Sequence, residues 1–210
     1  VLPKCFLIGQ LTRPYVVEPL GITGSFVVRF HPNGFSPFVD ISIKEIQNTA
    51  VPLEKLFGKD GKEIGVKVLS ANSTSERIEL IEKFLLDRLI NRKTIDNIVK
   101  STVETIFETN GQFSVNELSK QNNINRRQLG RKFSSIIGLS PKQLSKTIRI
   151  QNTLKTLLNK EVSSLTGLAY ENKYFDQAHF IKDFKEFTAL TPKEFYGDDL
   201  KMSMIFDNKD

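Results

Sequence analysis

One stretch of this chain is written twice. Asn123–Leu144, NINRRQLGRKFSSIIGLSPKQL, and Asn172–Phe195, NKYFDQAHFIKDFKEFTALTPKEF, correspond at a shift of 51 residues. Asp176 answers to Asn125, Phe180 to Leu129, Phe184 to Phe133 and Phe187 to Ile136. Leu190, Thr191, Pro192, Lys193 and Phe195 answer to Leu139, Ser140, Pro141, Lys142 and Leu144. Each copy has a polar cap, apolar residues at helical spacing and a [ST]-Pro-Lys stop. Chance matches apolar positions easily; it rarely matches cap, core spacing and stop together. Such a duplication demands two similar helical units in one chain.

The residues before each copy complete the unit. Ser114-Val115-Asn116-Glu117 is a capping box that opens a short helix with Val115 and Leu118 inward. Gln121-Asn122-Asn123 makes a turn, and Asn125 caps the next helix, whose buried face is Leu129, Phe133, Ile136 and Ile137. Arg126, Arg127, Arg131 and Lys132 lie off that face. A short helix, a tight turn and a helix with a basic outer side make a helix-turn-helix, whose second helix fits the DNA major groove. Gly138 ends it, and Ser140-Pro141 starts a long helix from Lys142 to Leu158. Its wide stripe of Leu144, Ile148, Ile150, Leu154, Leu157 and Leu158 suits a linker touching both units. Ser163/Ser164 cap a helix with Leu165, Leu168 and Ala169; Asn172-Lys173 turns; Asp176 caps the second reading helix.

Upstream the pattern differs. Tyr15–Val17, Ser25–Phe30 and Phe35–Ile43 are rich in β-branched and aromatic residues and read as strands. His31-Pro32-Asn33-Gly34 and Lys59-Asp60-Gly61-Lys62 read as turns. Ser73-Thr74-Ser75-Glu76 then caps a helix carrying Ile78, Ile81, Phe84, Leu85 and Leu89. Thr94–Thr109 is a second, ended by Asn110-Gly111 with residues suited to positive φ. The apolar faces of these two helices read as core ahead of a dimer seam.

Charge divides the chain in the same way. Of a net +6, residues 114–197 carry 14 Lys/Arg against 7 Asp/Glu, which is +7 for that part alone. A block of that sign favours polyanion partners. With two histidines, His31 and His179, in different parts of the chain, no metal-ligand set is expected. His31 reads as a turn histidine. Cys5, the single cysteine, excludes an internal disulfide, suits a reducing compartment and reads as a buried thiol. No convergent nucleophile, base and oxyanion donors are found, so neither catalysis nor a cofactor is expected. No apolar run has the length of a membrane span and no signal peptide is visible in the sequence, which starts at Val1; no membrane partner is expected.

Residues Leu165–Phe195, with YFDQAHFIKDFKEFTALTPKEF, resemble the signature end of AraC/XylS-type transcription regulators. The fuller resemblance runs from about Phe113 to Tyr196, and Ile148-Arg149-Ile150 is similar to the family's Arg-Leu pair in the linker. It implies a DNA-binding domain of seven helices whose two reading helices enter successive major-groove segments on one face of the DNA. By position, the groove-facing residues of the first are Arg127, Gly130 and Arg131, with Arg126 near phosphates; those of the second are Gln177, Ala178, Ile181 and Lys182. Solvated surface residues look the same in isolation, but the repeat, the turn and the motif favour contact. His179 reads as structural. Two positions depart from the family: Lys173 and Ala189 stand where glycine is usual, so Asn172 or Lys173 must take a strained turn conformation. Upstream, PLGITGSFVVRFHPNGFSP and a helix containing Glu76-Arg77 are similar to an N-terminal domain of unknown ligand found in some members.

The expectation is an α+β chain: a partial β-rich sensing or oligomerisation domain over 1–90, an all-α domain over 94–197 with two helix-turn-helix units joined by a linker helix, and a tail over 198–210. Its function reads as sequence-specific transcription regulation in the cytoplasm, on double-stranded promoter DNA. The alternatives are a ligand-binding protein with vestigial DNA binding, and a DNA-repair protein with an attached reader, which needs an activated Cys5. RNA polymerase, a homodimer partner and an unknown small-molecule effector are further partners that the sequence leaves open.

Overall fold

In the computed structural model β1 (Phe6–Ile8) and β2 (Ala50–Pro52) pair antiparallel, with Leu7 opposite Val51. Residues 2–89, 96–159, 165–172, 174, 176–192 and 194–195 are described. The Thr94–Ile95 helix start, the Ser163/Ser164 cap, Lys173, Tyr196 and the tail lie outside them, as do the side chains of Leu157, Leu158, Leu165 and Leu168.

Tyr15–Val17 and Ser25–Phe30, expected as strands, form none: Val16 and Val27 are exposed, and among the described residues no strand runs beside them. β-propensity measures fit to a neighbouring pleated surface, and β1 and β2 pair with each other instead. Phe35–Ile43, expected as extended, is not a strand, and Ile41 is exposed while Ile43 is buried. Two 3-10 turns, Ser36–Phe38 with Pro37 in the first and Ile43–Ile46, fold its apolar residues inward. Phe35, Phe38, Val39, Ile43 and Ile46 thus form a small core. The His31–Gly34 turn does form: Gly34 N–H donates to His31 O at 2.7 Å, and His31 Nδ1 lies 2.8 Å from Asn33 Oδ1.

Eight helices follow among the described residues. α1 (Leu53–Ser70) runs through the turn expected at Lys59–Lys62 and breaks one residue earlier, at Gly58, where φ is +60°. Gly61 is instead a buried helical residue. α1 packs on α2 (Thr74–Leu89). The Glu76-Arg77 pair joins them: Glu76 Oε2 accepts from Asn72 N–H at 2.8 Å, and Arg77 Nη2 donates to Ala71 O, at the end of α1, at 2.9 Å. α3 (Asn97–Glu108) is capped by Asp96, which accepts from the N–H groups of Ile98 and Val99. Asn110 and Gly111 close it at φ +51° and +78°, as their residue types require.

α4 (Val115–Gln121) and α5 (Arg126–Ile137) form the first unit, α7 (Leu165–Glu171) and α8 (Gln177–Thr188) the second. α6 (Pro141–Asn159) joins them, and a helical turn with Pro192, Glu194 and Phe195 closes the described part. Six helices and this turn match the seven implied for the reading domain. α6 serves both units because its stripe divides. Leu144 and Ile148 pack with Val103, Ile106, Phe133 and Ile137, whereas Ile150 and Leu154 pack with Tyr174, Phe180 and Phe184. Contacts also cross the boundary expected near residue 90, since the Ile43–Ile46 turn lies on α5.

Candidate nucleic-acid interface

The two units repeat in detail. At the start of α5, Asn125 Oδ1 accepts from Gln128 N–H at 2.8 Å; at the start of α8, Asp176 Oδ1 accepts from His179 N–H at 2.7 Å. Each is a side-chain N-cap reaching the third helical residue. Leu129 and Phe133 in one, and Phe180 and Phe184 in the other, have no accessible surface. Both helices end on a left-handed residue, Gly138 at φ +87° and Ala189 at φ +63°. Both stops are reciprocal capping boxes. Ser140 N–H reaches Gln143 Oε1 at 2.9 Å while Gln143 N–H reaches Ser140 Oγ at 3.2 Å. Thr191 N–H reaches Glu194 Oε2 at 2.7 Å while Glu194 N–H reaches Thr191 Oγ1 at 3.3 Å.

The buried stripe decides what each reading helix presents. With Leu129 and Phe133 inward, Arg126, Arg127 and Arg131 are exposed on α5. Gly130 is half-buried, yet a Cβ there would meet nothing within 4 Å, so it opens outward. On α8, Gln177, Ala178 and Lys182 are exposed. Ile181 differs from the expectation: it is half-buried and packs against the second core, so only part of it faces outward. His179 is exposed, with its ring 5.6 Å from Tyr174 and its Nε2 3.7 Å from Asp183 Oδ2.

Sequence reading missed some neighbours. Exposed Lys142 lines a shallow hollow with Arg126, Arg127 and Gly130, and exposed Lys120 and Asn116 line a second with the same arginines. Lys142 had been read only as part of the stop motif. Its place in the first turn of α6, next to the reading helix, is the signal that was available.

Ion pairs brace both reading helices. Lys132 Nζ on α5 lies 2.6 Å from Asp96 Oδ2. Burial alone would raise the Asp96 carboxyl, but hydrogen bonds from Lys132 and the α3 N–H groups hold it below its ordinary value. On α6, Lys146 Nζ lies 2.8 Å from Asp183 Oδ1 and 2.7 Å from Glu186 Oε2. Burial alone would lower the Lys146 ammonium; the two carboxylates of α8 outweigh it and hold it above its ordinary value. Elsewhere, burial pushes the Cys5 thiol up, away from a nucleophilic thiolate, and its Sγ faces Gly65 O at 3.6 Å.

Two copies of one capped helix, each standing on its own core and joined by a shared helix, define a tandem helix-turn-helix domain. Residues 118–197 match the family model of a helix-turn-helix domain. Residues 2–52 match a domain of unknown function. An HTH-type transcriptional regulator of Staphylococcus aureus (strain MSSA476) is 32% identical over 85 residues, which is 40% of this chain and 11% of that protein. One from Haemophilus influenzae is 24% identical over 152 residues, 69% of this chain and 51% of its own length. The chain therefore spans about a tenth to a half of the length of these relatives. Among solved structures, the C-terminal domain of AraT, a response regulator from Geobacillus stearothermophilus, is 22% identical with a TM-score of 0.45, over 50% of this chain and 86% of that one. ToxT from Vibrio cholerae is 17% identical with a TM-score of 0.39, over 67% and 57%.

Proposed function

We propose that this protein is a sequence-specific DNA-binding transcription regulator that reads double-stranded promoter DNA through α5 and α8 in successive major-groove segments. The observation that carries this is the duplication. Two identically capped helices stand on separate cores, and their uncovered sides carry Arg126, Arg127 and Arg131 in one case and Gln177, Ala178 and Lys182 in the other. Arg127 and Arg131 pair with guanine edges; Arg126 and Lys182 neutralise phosphates; Ala178 and the outward part of Ile181 meet thymine methyls. Gly130 lets the backbone of α5 approach closely. The protein acts in the cytoplasm without catalysis, as an activator or repressor, by occupying promoters where RNA polymerase binds. The first part, matched to a domain of unknown function, is where a second copy of the chain or a small-molecule effector would bind.

The test is selection of duplexes from a randomised pool by the full chain, followed by footprinting. Two protected segments about 34 Å apart along one face are expected, in an asymmetric site. Equal binding to selected and scrambled duplexes at moderate salt would overturn the reading.

A further inference from the structure

One position of the repeat ties each reading helix to the scaffold helix preceding its unit, with the charges reversed. In the first unit that position is Lys132, paired with Asp96 at the start of α3. In the second, 51 residues on, it is Asp183, paired with Lys146 of α6. Lys146 also takes Glu186, one turn further along α8, so a single ammonium bridges two carboxylates of the second reading helix. Asp183 is buried at 5% exposure and its other oxygen faces His179 Nε2 at 3.7 Å. Lys146 itself is largely enclosed, with Phe187 at 5.9 Å.

Two consequences follow from elementary electrostatics. A buried carboxylate left without its cation is strongly unfavourable, and it recovers water by moving away from the core. Here that motion would carry α8 off α6. The second consequence concerns the ligand. Asp183 and Glu186 lie on a helix that must approach phosphates, and without Lys146 they would add two uncompensated negative charges to it. Lys182, the outward cation of α8, is the immediate neighbour of Asp183 and would be partly offset.

We propose that Lys146 is a positioning residue for DNA reading: it seats α8 against α6 and neutralises the carboxylates of that helix, so that the second unit can enter its groove. This rests on the DNA-reading function above. The tie differs from ordinary packing because its removal can be repaired by removing charge.

The experiment uses the full chain and a duplex selected by the wild-type protein from a randomised pool. Wild type protects two segments. Lys146→Ala keeps the first, loses the second and binds at least about tenfold more weakly. Lys146→Arg protects both. The triple variant Lys146→Ala/Asp183→Asn/Glu186→Gln regains the second segment, because no stranded charge drives α8 away. Lys146→Ala with both segments protected at wild-type affinity overturns the proposal. So does a folded triple variant as weak as Lys146→Ala, which would mean that packing alone sets the helix. Should Lys146→Ala fail to fold, the triple variant decides by whether it protects the second segment. A wild-type chain protecting neither segment overturns the DNA-reading function itself, and this inference with it.

Discussion

Gln47 Nε2 donates to the carbonyl oxygen of Gly138 at 3.1 Å, across 91 residues of chain. Ile43, from the 3-10 turn that Gln47 ends, lies so close that a Cβ on Gly138 would stand 3.0 Å from its Cγ2. The end of the first reading helix is thus covered by the first part of the chain, whereas Ala189, its counterpart on α8, is exposed. Stability of the first unit should depend on this cover. Ile43→Ala, at a 5%-exposed site, should cost about 2–5 kcal/mol in urea unfolding. A fragment of residues 94–197 should fold and bind the selected duplex, since both cores lie within it, but should melt below the full chain. Thermal unfolding of the two proteins side by side checks this.

The two helix ends respond oppositely to a methyl group. Ala189 holds φ +63°, a left-handed conformation that costs a non-glycine residue energy, and Gly138 holds φ +87° without that cost. Ala189→Gly should stabilise by about 0.5–1 kcal/mol, the relieved strain being offset in part by the freer unfolded chain. Gly138→Ala should destabilise, through φ and through its collision with Ile43. Denaturant midpoints at constant m-value measure both.

Base specificity should reside more in α5 than in α8. Arg131→Ala should cost about 1–3 kcal/mol on the selected duplex and relax preference at one base pair. Lys182→Ala should weaken binding to all duplexes more evenly and lower the salt slope by about one unit. Titrations on matched and scrambled duplexes over a salt series separate the two. Loss of preference in Lys182→Ala with preference intact in Arg131→Ala would reverse the assignment.

Acid should loosen the first unit through Asp96. Its carboxyl sits below the ordinary 3.8 in the folded chain, so its contribution is complete well above that pH. It is lost as pH falls through the lowered value, because the unfolded chain then takes up the proton more readily. Asp96→Asn should therefore flatten the acid limb of a stability–pH curve while leaving the limb above neutrality unchanged.

Much of this protein was legible in the sequence because its information is local. The caps Ser114, Asn125 and Asp176, the stops at Ser140 and Thr191, and the spacing of Leu129/Phe133 and Phe180/Phe184 are satisfied within one or two helical turns, so residue type and interval suffice. The outward placement of Arg126, Arg127 and Arg131 follows from the same periodicity. What failed was what required a distant partner. The β-branched runs near residues 16 and 27 promised strands, but a strand exists only where another edge accepts its hydrogen bonds. Gly61 resembled a turn residue until the path of α1 buried it, and Ile181 resembled a groove residue until the second core claimed part of its surface. Lys146 bridging Asp183 and Glu186, and Gln47 reaching Gly138, join residues 37 to 91 positions apart. No interval in the chain encodes such pairs; they exist only because the packing of helices brings one charge or one carbonyl within reach of another.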